Sequence, residues 1–281
     1  MTDLTTTVFD LLLILIVALV PAIGYLAWIR SIERYRTVAW SPLLSAFLYG
    51  AIFATLVAAT VEAVLLNAGT ALSQAYPAPE FTFLNGNSTA GQFFLILVIA
   101  PFVEEGLKAT GVLAQRSRIQ YVADGPVYGA SVGLGFGFLE TVLYGIVGWG
   151  VGGLTGAITI VLVRSVSSVL LHASSTAMFG YGYARSKLLG DRGATGRYYL
   201  VAVGMHSSYN ALASVGVILV ALGVSNSIGN LASGLGLVAA ITFAFVAIEY
   251  IARLVRLADF PAADPHHPMR YRPPGRPPTR S

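Results

Sequence analysis

Cysteine is absent from the 281 residues, which excludes disulfides and thiolate chemistry and leaves the redox compartment unread. Charge is scarce too: 11% of the chain is Asp, Glu, Lys or Arg, 56% is hydrophobic, and the mean hydropathy is +0.72. Soluble domains carry about a quarter charged residues, so this composition excludes an ordinary water-soluble fold and points to lipid as the solvent. A His-Glu-x-x-His sequence is missing, which removes the standard zincin arrangement. The net charge of +4 and pI near 9.4 do not indicate nucleic acid, because the basic residues lie in short connections beside apolar runs, the pattern of membrane orientation.

What is present is a series of apolar runs near 8–29, 43–66, 92–115, 126–148, 157–184, 198–222 and 229–256, each long enough to cross roughly 30 Å of hydrocarbon. They predict an all-α, polytopic transmembrane helix bundle of about seven spans in the cell membrane. The fifth span starts after a glycine-rich stretch, 148–156, compatible with a loop, a broken helix or a re-entrant turn. Of 17 Lys and Arg, all but Lys108 and Arg164 fall in alternate connections: three at 30–42, two at 116–125, four at 185–197 and six from Arg253 onward. The opposite connections, 1–7, 67–91, 149–156 and 223–228, hold none. By the positive-inside rule the amino terminus lies outside and the carboxyl terminus in the cytoplasm. The first run follows Asp3 and threonines rather than a basic segment, so it reads as a retained first span. Residues 1–257 form one bundle with its site-bearing core at about 92–222, and 258–281, rich in Pro and Arg, read as a disordered cytoplasmic tail that touches anionic lipid.

Seven ionisable side chains sit inside these runs: Glu104, Glu105, Lys108, Glu140, Arg164, His172 and His206. A charge at the centre of a membrane helix costs about 2.5–3.5 kcal/mol even on insertion scales, so such groups face a bundle interior and act on something. At about 1.5 Å per residue, Glu104 lies roughly 18 Å from Arg116, Glu140 roughly 21 Å from Pro126, His172 roughly 20 Å from Arg185 and His206 roughly 14 Å from Arg197. Four helices thus bring their polar residues to similar depth, as a shared site requires. Glu104 and Lys108 are four apart and share a helix face, with Pro101 one turn earlier loosening the backbone. Gly129, Gly133, Phe136, Gly137, Glu140 and Tyr144 form a stripe that lets a neighbouring helix approach closely. His172 aligns with Thr176 and Gly180, and His206 with Asn210.

Three carboxylates against Lys108 and Arg164 leave a formal charge of −1 with both histidines neutral, a balance that wants a shared proton or a bound cation. Two chemistries use these residues: a carboxylate beside an imidazole deprotonates water, or His172, His206 and a carboxylate such as Glu140 hold Zn²⁺ while another Glu serves as base. Midplane Glu, Lys, Arg and His also build ion relays in transporters, but transporters usually show two related halves. Here the cluster occupies only spans three to six. Haem ligation by the two histidines leaves the Glu104–Lys108 cluster without a role.

At these residues the chain resembles the PrsW family of intramembrane proteases, relatives of the CAAX-type prenyl-protein endopeptidases. The match consists of Glu104-Glu105-Gly106-Leu107-Lys108 for E-E-x-x-K, Phe136-Gly137-Phe138-Leu139-Glu140 for F-x-x-x-E, His172 for the third motif and His206-Ser207-Ser208-Tyr209-Asn210 for H-x-x-x-N. It covers roughly 100–212. The resemblance implies peptide-bond hydrolysis in or beside the bilayer, with single-span regulatory proteins such as anti-sigma factors as the substrate type. It makes Glu104 and Glu105 the water-activating pair, with His172 and His206 holding the water or a metal and Glu140 as third acid. Asn210 then suits an oxyanion donor, and Lys108 and Arg164 keep the carboxylates ionised.

Overall fold

A computed structural model describes residues 4–33 and 37–259. The expected tail, including His266 and His267, lies outside the described residues apart from its first two. Every long element among the described residues is a helix: α1 Leu4–Ile32, α2 Trp40–Ala75, α3 Thr89–Ala114, α4 Asp124–Ser165, α5 Ser168–Leu189, α6 Ala194–Ala221 and α7 Asn226–Ala258. Large apolar side chains on the periphery, such as Leu12, Val147, Leu231 and Val246, stay exposed, as lipid-facing positions do.

Six helical stretches are long and apolar enough to cross a membrane, and the six become seven passes because one of them, Asp124–Leu189, is 66 residues long. Helix α4 alone would extend about 60 Å, twice the hydrocarbon thickness. Its helical geometry fails at Gly152 and Gly153, and Gly153 adopts φ +60°, ψ −158°, open only to glycine. The chain reverses there. Gly145 then faces Val161, Gly137 faces Val169, Gly133 faces His172, Gly129 faces Thr176 and Gly125 faces Gly180. The glycine stripe is therefore the seam of an antiparallel hairpin, and any side chain at Gly133 would run into the His172 carbonyl. A second break at Val166 and Ser167 separates α4 from α5, within what the sequence suggested as one fifth span.

Helix α2 packs on the first arm of the hairpin through Gly50 against the Val132 carbonyl and Gly135 against that of Phe47, and Ser131 donates to the Leu43 carbonyl at 2.7 Å. A π-helical turn, Tyr49–Ala54, interrupts α2. This helix continues to Ala75 and is followed by a 3-10 turn, Pro79–Leu84, so part of the expected connection is helical. Helix α1 lies along the hairpin with Ile14, Ala18, Ala22 and Leu26 buried at four-residue spacing, and Trp149 donates to the Asp10 carboxylate at 2.9 Å. Helix α6 packs between α5 and α7, meeting α7 where Gly216 and Gly229 touch.

Candidate active site

Four helices deliver the ionisable residues to one place. Helix α3 carries Glu104, Glu105 and Lys108 on its inner face, and a π-helical turn, Leu95–Ile99, precedes them. Pro101 lacks the N–H that a regular helix would give to Leu97, and the π turn absorbs the mismatch. The freed register leaves the Ile96 carbonyl accepting from the Asn210 side-chain amide of α6 at 2.8 Å. Tyr199 of α6 donates to the Phe102 carbonyl at 2.8 Å, a second clamp on the same segment.

Lys108 is fully buried at the centre. Its Nζ lies 2.7 Å from Glu105 Oε1, 2.9 Å from His172 Nδ1 and 3.5 Å from Glu104 Oε2, with the Phe136 ring 4.3 Å away as a cation–π face. Glu105 also accepts from Ser175 at 2.9 Å and lies 3.1 Å from His206 Nδ1. Glu140 Oε2 sits 2.7 Å from His172 Nε2 and 2.6 Å from Arg164. Arg164 reaches Ser168 at 2.8 Å and stacks 3.9 Å over Tyr144. Tyr209 donates to Ser167 at 2.9 Å, pinning the break between α4 and α5. All seven ionisable residues singled out from the sequence thus join one connected network, with Asn210 at its edge.

These partners fix the imidazole tautomers. An ammonium beside His172 Nδ1 requires a lone pair there, so Nε2 carries hydrogen and donates to Glu140. His206 donates from Nδ1 to Glu105, which leaves its Nε2 lone pair free. His172 Nδ1 and His206 Nε2 each lie 3.9 Å from Glu104 Oε2, the first lone pair accepting from Lys108 and the second free, and the imidazole rings stand perpendicular with centroids 5.0 Å apart. Glu104 Oε2 is buried without a hydrogen-bond partner among the described residues. The group whose ligand atoms fall within 4.8 Å of one another is Glu104, His172 and His206. In the sequence-based set Glu140 stood in the place of Glu104; here Glu140 holds the far nitrogen of His172, because depth along a helix does not specify which carboxylate faces which ring.

A cavity of about 390 Å³ opens beside this network, within the size range of small-ligand sites. Thr55, Ala58 and Ala59 of α2 line it together with Glu104 of α3, Glu140 of α4, and Asn210 and Ser214 of α6. Glu62 of α2 also lines it, a carboxylate that sequence reasoning passed over. Its signal was an acid within the apolar run 43–66. With Glu62 included, four carboxylates face Lys108 and Arg164, a formal charge of −2 with neutral histidines that one divalent cation would balance. Ser168, Ser175 and Tyr209 were likewise missed, since hydroxyls are common in membrane helices.

A buried carboxylate–imidazole network inside a helical bundle, opening on a cavity between spans, defines a polytopic membrane protein with an acid–base site shielded from bulk water. The profile of the family described as "PrsW family intramembrane metalloprotease" matches residues 38–249, and the chain belongs to that family. Protease PrsW of Clostridioides difficile (strain 630) is 25% identical over 191 residues, covering 67% of this chain and 72% of that protein. Protease PrsW of Bacillus subtilis (strain 168) is 30% identical over 116 residues, covering 40% of this chain and 50% of that protein. No solved structure matches the chain.

Proposed function

We propose that the protein hydrolyses a peptide bond of a membrane-protein substrate within or beside the bilayer, using a water held between Glu104, His172 and His206. The observation that carries this reading is Glu104 Oε2: a buried carboxylate oxygen without a hydrogen-bond partner among the described residues, flanked by two imidazole nitrogens at 3.9 Å. A water seated there finds acceptors in Glu104 and in His206 Nε2, while His172 Nδ1 accepts from Lys108, and a free carboxylate acceptor is what a nucleophilic water needs. Glu104 takes its proton as the oxygen attacks the scissile carbonyl and returns it to the amide nitrogen as the C–N bond breaks. Glu105 and Glu140 act through the histidines, each accepting from one ring N–H so that the other nitrogen stays basic. Lys108 and Arg164 hold those two carboxylates ionised. Asn210 uses one amide hydrogen on Ile96 and has a second for the oxyanion.

The set Glu104, His172 and His206, its buried carboxylate oxygen without a hydrogen-bond partner among the described residues and the formal charge of −2 also fit a divalent cation, Zn²⁺ being suited to this donor set. A metal held there by Glu104, His172 and His206 would supply Lewis-acid polarisation to the site. Lys108 and the ion would share the His172 Nδ1 lone pair, so only one is its partner at a time. Single-span, anti-sigma-factor-like proteins are the substrate type that likeness to PrsW adds. Comparing membrane proteomes of cells making wild type or Glu104→Gln tests the reading: truncated membrane proteins should appear with wild type alone, and identical fragment profiles would reject it.

A further inference from the structure

We infer that Glu62 is a substrate-binding residue of this site, accepting an N–H donor of the peptide from the α2 wall of the cavity that the catalytic cluster also lines; the inference rests on the hydrolase reading above. Thr55, Ala58, Ala59 and Glu62 line one face of α2 at helical spacing, and that face walls the cavity. Thr55 is turned away, donating to the Gly50 carbonyl at 3.0 Å, and Ala58 and Ala59 offer no side-chain acceptor. Glu62 is therefore the one carboxylate on this wall, and its Oε1 is buried without a hydrogen-bond partner among the described residues. The two cations nearby are turned elsewhere, Lys108 to Glu105 and His172, Arg164 to Glu140 and Ser168. A buried carboxyl oxygen without a partner is retained against its desolvation cost when something arrives to pair with it.

The arriving group follows from the chemistry of cleavage. A helical peptide bond is shielded by its own hydrogen bonds, so attack requires local unwinding, which frees backbone N–H groups in a medium without water to satisfy them. A carboxyl acceptor lining the same cavity as the reacting centre meets that need, and when ionised it serves equally for a Lys or Arg side chain of the peptide. Both donors share one chemistry, and the Gln variant tells them apart, because an amide oxygen accepts from a backbone N–H but loses the attraction for a cation.

The test compares wild type, Glu62→Ala, Glu62→Gln and Glu104→Gln. Membrane proteomes first identify the fragments whose formation depends on Glu104, and the purified variants are then assayed in lipid on a protein so identified, with melting temperature and metal content as controls. Glu62→Ala should raise KM about tenfold or more with kcat changed far less, since a charge-assisted hydrogen bond of substrate binding is lost. Glu62→Gln close to wild type assigns the backbone N–H, and loss equal to Glu62→Ala assigns a basic side chain. An unchanged KM in Glu62→Ala, or an effect confined to kcat, overturns the inference while leaving Glu104-dependent cleavage intact. If no fragments depend on Glu104, the hydrolase reading fails and the role of Glu62 falls with it. Should Glu62→Ala not fold, Glu62→Leu, which also removes the acceptor, takes its place in the same comparison.

Discussion

Removal of the Lys108 ammonium is the sharpest perturbation of the buried network. Lys108→Met keeps a long apolar stem and deletes the charge, leaving Glu105 without its 2.7 Å partner, His172 Nδ1 without its 2.9 Å donor and Glu104 without the cation at 3.5 Å. Solvent does not compensate, because Lys108, Glu105 and His172 are each at most 1% exposed. Breaking a buried ion pair on one side costs about 3–5 kcal/mol, since the remaining charge is stranded. At about 2–4 °C per kcal/mol for a chain near this size, the melting temperature should fall by about 6–20 °C. The assay is a double-mutant cycle on purified protein in lipid or detergent, followed by thermal melting. Lys108→Met together with Glu105→Gln should be less destabilised than the sum of the single changes, by about 0.5–3 kcal/mol. Melting of Lys108→Met within about 2 °C of wild type, or additivity of the two changes, would refute the view that this lysine neutralises the cluster.

Topology follows from the one-sided distribution of flanking basic residues: reporter fusions after residue 85 and after residue 226 should report an external location, and one after residue 190 a cytoplasmic location; reversal would invert the orientation proposed here. Elemental analysis of protein purified from metal-replete cells should find about one divalent ion per chain, lost in His206→Ala, if the Glu104, His172 and His206 group holds a metal as its geometry suits; intact cleavage by metal-free protein would contradict that role. Glu33, just past the end of α1, is buried, and burial raises its carboxyl to about 7, opposed by the Val38 N–H and Arg30 and assisted by Asp124 and Asp259. Because the folded state binds this proton more tightly than the unfolded chain, stability should fall as pH rises from about 4.5 to about 7, by at most about 1.4 kcal/mol per unit from this group. Glu33→Gln should flatten that slope, and an unchanged slope would exclude Glu33 as its source.

Much of the fold was legible because lipid imposes a length. Each apolar run proved helical, the fifth being divided between the end of α4 and α5, and the glycines at 148–156 marked the reversal that Gly153 makes with a positive φ. The length of α2 was not legible: its helix outruns the apolar run to Ala75, since Asn67 and Thr70 satisfy themselves by donating to the carbonyls of Ala63 and Leu66, four residues earlier. In the site, equal depth along four helices sufficed to expect Glu104, Glu105, Lys108, Glu140, Arg164, His172 and His206 together. Depth says nothing about rotation around each helix axis. The pairing of Glu140 with the outer nitrogen of His172, and the place of Glu104 between the two rings, depend on the glycine seam and on the π turn before Pro101. Glu62 escaped notice for a related reason: its relevance arises from the face it shares with Thr55 and Ala58 along the cavity.

The central claim is that Glu104 and the two imidazoles activate water against a peptide bond. Its most direct test is cleavage in H₂¹⁸O by purified protein in lipid, acting on a membrane protein whose fragments depend on Glu104 in cells. Wild type should yield two fragments with ¹⁸O in the newly formed carboxyl group, and Glu104→Gln, although folded, should yield neither. Cleavage by Glu104→Gln at a rate near that of wild type would place the water-activating group elsewhere and contradict the account.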